Sequence, residues 1–263
     1  MNAPAPRDPP PSSAADPKRG EREYFARIGP AGIAHSTGKP FSDDNCAVNL
    51  ANLTALFSLL DAPPQRIVEF GCGVGWLSLF LARRGYTVVG VDISPDAVAA
   101  ANAQRDAQQI RGAEFVVADY EEFSTAEKFD CALFYDSLHH AEDERAALRC
   151  AHRALRDGVM LIAFEPGHGH SGKAASVRAV REFGAHEKDM PADYIVRLGR
   201  EVGFRRHLFL PRPYEVARRL YKPSYARATG PGDLFVRYLL GKLRLIRFLF
   251  HHRRKAPIVV LWK

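Results

Sequence analysis

One stretch restricts the fold more than any other: Val68-Glu69-Phe70-Gly71-Cys72-Gly73-Val74-Gly75-Trp76. Three glycines on alternate positions end a short apolar run and open a helical pattern, Leu77 to Arg84. A strand that turns this sharply into a helix needs glycine, which takes positive φ cheaply and lets backbone approach a ligand closely. The amides of such a turn, with the N-terminus of the next helix, are expected to face an electron-rich ligand. The spacing differs from the Gly-x-Gly-x-x-Gly of dinucleotide-binding turns. That difference disfavours a dinucleotide-dependent oxidoreductase.

Strand and helix signals alternate on both sides of this turn. Strands are expected near Arg66–Phe70, Thr87–Val91, Glu114–Val117, Cys131–Tyr135, Val159–Phe164 and Arg205–Leu210, and helices near Trp76–Arg84, Pro95–Gln108, Glu142–Leu155 and Ala192–Val202. Short β-rich runs between helical patterns imply an α/β fold, a parallel sheet with helices on both faces. Ligands bind such sheets outside the carboxyl ends of the strands. Glu69, Asp92, Asp119 and Asp136 all fall at or just past such ends.

Taken in order, Glu69–Gly75, Val88–Ser94, Glu114–Tyr120 and Phe129–His140 resemble the cofactor motifs of class I S-adenosylmethionine (SAM)-dependent methyltransferases. The resemblance runs roughly from Pro64 to Leu210 and implies a Rossmann-like seven-stranded sheet with SAM as cofactor. It also implies an antiparallel last strand, drawn from Ala256–Trp262 and slotted between the fifth and sixth. Gly71, Gly73 and Gly75 would form the floor of the site, with Glu69 near the methionine amino end. Asp92 would accept the ribose hydroxyls, a role its position at the end of the second strand also suits. Ile93 and Tyr120 would flank adenine, and Asp119 would reach its amino group. Each acid has a plainer alternative: Glu69 holding the turn's amides, Asp92 capping the helix at Ser94-Pro95, Asp119 capping the turn at Glu121-Glu122. Trp76 packs either on a lid or in the core.

Methyl transfer from a sulfonium is an in-line displacement, so positioning dominates, and a hydroxyl acceptor also gains from a base such as histidine. Asp136, expected in both the cofactor-binding and the catalytic set, follows the fourth strand with His139 and His140, where the resemblance places the methyl group. His168 and His170 lie in the Gly/Pro loop after the fifth. His139, His140 and His170 are the candidate bases, with a scaffold role as the alternative. Neither loop shows helical His-x-x-x-His spacing or an evident carboxylate partner, so no metal is expected. The second loop resembles that of a methyltransferase subgroup encoded beside glycosyltransferases, with counterparts of Lys39–Asp43 and Glu187–Asp189. The expected activity is therefore O-methylation of a glycan or another small hydroxylated acceptor. An N-methyltransferase, a natural-product methyltransferase and a non-catalytic SAM-binding scaffold are the alternatives. No Asn-Pro-Pro-Tyr-like loop follows the fourth strand, which disfavours nucleic-acid bases as acceptors.

The flanks differ from the core. Six of the 18 prolines precede Gly20, so residues 1–20 read as a disordered tail without the apolar region of a signal peptide. Residues 21–62 read as a helical cap, 63–210 as the SAM-binding core, 211–256 as an insertion and 257–263 as the last strand. The net charge of +7 is uneven: from Arg205 onward 15 Lys/Arg face two acids, a local balance of +13. Within that region Leu234–Arg254 reads as an amphipathic helix. Phe235, Leu239, Leu243, Ile246, Leu249 and Phe250 share one face, opposite Arg237, Arg244 and His251. Residues 234–255 are expected either to lie on an anionic membrane surface or to pack on the sheet. Four cysteines without Cys-x-x-Cys spacing suit reduced thiols. The expected location is cytoplasmic, with peripheral docking on the inner membrane face; the oligomeric state is not legible.

Overall fold

The computed structural model describes Asp16, residues 18–251 and residues 257–263. Strands β1 (Arg66–Phe70), β2 (Thr87–Asp92), β3 (Ala113–Val117), β4 (Phe129–Tyr135), β5 (Leu155–Phe164), β6 (Arg206–Leu210) and β7 (Ile258–Trp262) form one sheet. Their order is β3-β2-β1-β4-β5-β7-β6. The pairings among β1 to β5 are parallel, whereas β7 runs antiparallel to both β5 and β6. This is the expected Rossmann-like arrangement, with the last strand between the fifth and sixth. Strand order reverses between β1 and β4, where their carboxyl ends open a crevice.

Three helices precede the sheet: α1 (Arg19–Arg27), α2 (Gly29–Thr37) and α3 (Cys46–Leu59). Within it come α4 (Trp76–Arg84), α5 (Pro95–Ala107), α6 (Glu144–Ala154), α7 (Ala174–Phe183) and α8 (Ala192–Val202), then α9 (Pro213–Leu220) and α10 (Pro231–His251). Side-chain alternation sorts the core into two layers. Val68, Phe70, Phe134 and Leu161 pack with Leu148 of α6 and Ile195 of α8. Ile67, Val88, Leu133 and Ile162 pack with Leu56 of α3 and Leu77 of α4. Each such fully buried side chain contributes about 1.5–3 kcal/mol.

Four expectations need correction. The tail does not extend to residue 20: Lys18 is placed against the core and Arg19 opens α1, while residues 1–15 and 17 lie outside the described residues. Strand β5 begins at Leu155, not Val159, because Leu155 pairs with Phe129 across a bulge that the polar Arg156-Asp157-Gly158 hides in the sequence. Helix α7 is not among the expected helices, although Val177, Val180 and Phe183 recur at helical spacing along it. The basic helix spans Pro231–His251, and its expected extension through residues 252–254 lies outside the described residues. It rests on α9 and a short 3-10 turn at Pro223–Arg227, not on the sheet. Gly241 allows that approach, since a Cβ there would sit 2.5 Å from the Tyr225 hydroxyl oxygen.

Candidate functional site

A cavity of about 1020 Å³ opens at the carboxyl ends of β1, β2 and β4 and is roofed by α1. Its floor is the glycine turn. Gly71, Gly73 and Gly75 have φ of 72°, 52° and 77°, and a Cβ on Gly71 would meet the Ser137 side chain at 2.5 Å. The first three amides of this turn, expected to face a ligand, are already bonded within the protein. Gly71 and Cys72 N–H donate to the Val91 carbonyl at 2.8 and 3.1 Å, and Gly73 N–H donates to Asp92 Oδ2 at 2.8 Å. Buried at the end of a strand, those donors need partners inside the protein, and the end of β2 supplies them.

Asp92 also accepts from Ser94 N–H at 2.9 Å, and burial raises its pKa. Helix α5 is capped by Ser94 itself, whose side chain accepts from Ala97 N–H, so Asp92 is not the cap. Glu69 is 3% exposed and bonded to the Ser78 hydroxyl; burial pushes its pKa up to about 8, with neighbouring Asp92 adding to the rise. Two buried acids side by side favour a cationic ligand, and the sulfonium and ammonium of SAM fit that donor set.

The other expected cofactor residues sit around the same space. Ile93 and Trp76 line it, and Trp76 also packs edge-on against Phe80 and Tyr135. Tyr120 borders the cavity but is mostly a core pillar, its hydroxyl donating to the Ser137 carbonyl at 3.0 Å. Asp119 is engaged twice: Oδ1 accepts from Glu121 N–H at 2.9 Å, and Oδ2 takes Lys18 Nζ at 2.6 Å.

At the reacting end, β4 runs out at Tyr135, whose hydroxyl is held by Asn49 and Asn52 of α3. Asp136 turns the chain at φ 49°, a left-handed conformation that Asp tolerates better than most residues. Its carboxylate lies 3.7 Å from Arg212. The next residues wrap around Glu165, which the sequence reading passed over as a site residue. This carboxylate at the end of β5 accepts from the N–H groups of Ser137, Leu138 and His139 at 3.1, 2.8 and 3.3 Å. It also bonds His139 Nδ1 at 2.8 Å. Burial alone would raise its pKa, but the His139 contact and the amides outweigh burial and lower it. The signal was present: like Glu69, Glu165 is an acid closing a buried strand.

With Nδ1 turned to Glu165, the Nε2 of His139 faces Glu187 Oε2 at 4.0 Å. His170 Nε2 meets the same oxygen at 2.6 Å, and burial lowers the pKa of His170. The structure thus joins two of the three candidate histidines through a glutamate from the α7–α8 connection. Asp189 positions the His170 loop by accepting from Gly169 and Ser171 N–H at 2.7 and 2.9 Å.

His140 is different. Its Nδ1 donates to the His186 carbonyl at 2.6 Å and lies 3.5 Å from Glu21 of α1. Burial disfavours its charged form, yet Glu21 overcomes this and pushes its pKa up to about 9. Burial likewise opposes the charge on Glu21, but His140 and His186 bring its pKa down to about 2. Stability from this pair is full between about pH 4.5 and 6.5. It is lost through Glu21 as pH falls toward 2 and through His140 as pH rises through 9. Glu21→Gln should remove both slopes, read as the wild-type minus mutant melting temperature across pH. A flat difference would count against the pair.

Residues 68–163 match a family model described as a methyltransferase domain. Over that stretch the chain carries a methyltransferase domain. A protein named as a methyltransferase in Geobacillus sp. (strain WCH70) is 40% identical over 103 residues, 37% of this chain and 41% of that one. The ubiquinone biosynthesis O-methyltransferase of Rhodopseudomonas palustris (strain BisB5) is 32% identical over 99 residues, covering 37% and 39%. The chain thus spans about two fifths of the length of these curated relatives. Haemonchus contortus phosphoethanolamine N-methyltransferase 2, solved with S-adenosylhomocysteine, shares the fold at a TM-score of 0.62 and 17% identity, over 91% of this chain and 59% of that one.

Proposed function

We propose that the chain is an O-methyltransferase that takes its methyl group from SAM and delivers it to a hydroxyl of a glycan or other small hydroxylated acceptor. The observation that carries this reading is His139, which is held by Glu165 behind it and lines the same cavity as the glycine turn. Gly71, Glu69 and Asp92 would hold SAM, whose sulfonium supplies an activated methyl group. Glu165 fixes His139 with Nδ1 as donor, so Nε2 is left to accept the acceptor hydroxyl's proton. The oxygen forms a bond to the methyl carbon as the carbon–sulfur bond breaks onto sulfur. Relatives named O-methyltransferases support oxygen as the acceptor atom. The test is transfer of isotopically labelled methyl from SAM to a panel of hydroxylated glycans and small molecules. Label on an ether oxygen supports the reading, label on nitrogen redirects it, and SAM binding with no transfer leaves only a scaffold.

A second observation favours an acceptor that stays at a membrane. On α10, Phe235, Val236, Leu239, Leu243, Ile246 and Phe250 are all exposed, Phe250 at 81%. Arg237, Lys242, Arg244 and Arg247 accompany them on the helix, against the single acid Asp233. No helix among the described residues is long and apolar enough to cross a membrane. An apolar face with basic neighbours instead fits a helix lying in an anionic headgroup layer, each basic residue near the surface contributing about 1 kcal/mol. Flotation with anionic vesicles is expected at low salt, fading with salt and after Arg/Lys→Ser changes at these four positions. No flotation at low salt would remove membrane docking without touching methyl transfer.

A further inference from the structure

His139, His170 and Glu187 come from three separate segments, yet one ligand atom from each lies within 4.8 Å of the others. Glu187 Oε2 is 2.6 Å from His170 Nε2 and 4.0 Å from His139 Nε2. We propose that these three side chains form a binding site for a divalent first-row transition metal, of the Zn²⁺ or Mn²⁺ class, at the acceptor end of the cavity. The inference rests on the methyl-transfer reading and gives that site a cation.

The donor set argues for the class of ion. Two imidazoles and one carboxylate suit borderline first-row metals, whereas Mg²⁺ and Ca²⁺ prefer oxygen ligands throughout. Three protein ligands leave coordination positions open toward the cavity that all three line. Metal bonds of about 2.0–2.2 Å at tetrahedral angles place ligand atoms roughly 3.4 Å apart, so the widest separation of the cluster must close by about an ångström or more while the His170–Glu187 pair, now at 2.6 Å, opens. His170 and Glu187 lie in connecting segments that can supply that shift, while His139 is fixed.

The surroundings of His139 match what a metal-binding imidazole needs. A carboxylate on the far nitrogen sets the tautomer and aims the near one, and Glu165 does this at 2.8 Å while itself held by three amides. His170 turns Nε2 to Glu187 and keeps its far nitrogen, Nδ1, buried without a hydrogen-bond partner among the described residues, so of the two rings only that of His139 has a carboxylate behind it. Neither loop showed this in sequence, because Glu187 lies 17 residues beyond His170.

With the ion present, the acceptor hydroxyl binds at an open position, its O–H bond weakens and the proton leaves to solvent. The retained electron pair forms the bond to the methyl carbon, and the carbon–sulfur pair passes to sulfur. In this state His139 is a ligand, and the ion replaces it in making the oxygen nucleophilic.

Chelator-stripped full-length protein should be titrated with ZnCl₂ by calorimetry and with CoCl₂ by visible absorption. One ion per chain is expected, with the Co²⁺ bands of a nitrogen/oxygen site and no comparable binding of MgCl₂. His170→Ala and Glu187→Gln, both partly exposed, should weaken binding by more than the roughly 10–100-fold that loss of an outer-shell partner costs. Unchanged SAM affinity in the variants verifies that they are folded. If wild-type protein binds SAM but neither Zn²⁺ nor Co²⁺, or if both variants bind the ions as wild type does, the metal site is overturned and methyl transfer stands. Failure to bind SAM would strike the methyl-transfer reading itself, whatever the metal titration shows.

Discussion

His139→Ala lowers kcat by roughly 10²–10⁴ while SAM affinity stays near wild type, the range expected when a positioned proton acceptor is lost. The size of the effect follows from burial and orientation. The His139 side chain is 4% exposed, and its Nδ1 is tied to a carboxylate that the protein has already stabilised with three backbone donors. Water cannot readily replace an imidazole held so firmly. His140→Ala should cost much less turnover, because that ring already bonds the His186 carbonyl and pairs with Glu21. Its loss should appear as lower stability between about pH 2 and 9, where both partners are charged. His139→Ala removes either role of Nε2, as base or as metal ligand. Chelated wild-type enzyme separates the two: retained turnover assigns the proton to His139, and lost turnover restored by Zn²⁺ or Mn²⁺ assigns it to the ion. Near wild-type kcat in both His139→Ala and His170→Ala would leave only positioning.

The sheet and the glycine turn were legible because their signals are local. A strand buried on both faces must be apolar along its length, and the glycine turn has to follow it directly; Ile67 to Gly75 shows both within nine residues. The antiparallel last strand came from the family resemblance, not from any pattern in Ile258–Trp262. The acceptor end was harder to read because its partners meet only in three dimensions. Lys18 reaches Asp119 across 101 positions, and Glu21 meets the His186 amide across 165. No periodicity carries such pairings. His139 and His170 were picked as residue types, but their link through Glu187 depends on how α7 and α8 fold back toward β4. Helix α10 was legible as amphipathic, yet the pattern did not say which side faces the protein. Phe248 answers that, buried under the Arg219 guanidinium with its ring centroid 4.0 Å away, while Phe235, Leu243 and Phe250 point elsewhere.

Asp92→Ala weakens SAM binding by about 1.5–3 kcal/mol, the usual worth of hydrogen bonds to a charged acceptor, or roughly 10–150-fold in Kd. Two separate losses contribute. The ribose hydroxyls lose their carboxylate, and the Gly73 and Ser94 N–H groups lose the acceptor that now holds them at 2.8 and 2.9 Å. The second loss loosens the glycine turn before any ligand arrives, so melting temperature should fall as well. Asp92→Asn separates them. An amide oxygen can still take one backbone donor, but it cannot accept two ribose hydroxyls with a full negative charge. Asn should therefore recover more stability than affinity. Calorimetric titration with SAM, alongside thermal melts of both variants, reads the two effects independently. SAM affinity unchanged in folded Asp92→Ala protein would remove Asp92 from the cofactor site and leave it a purely structural brace between β2 and the glycine turn.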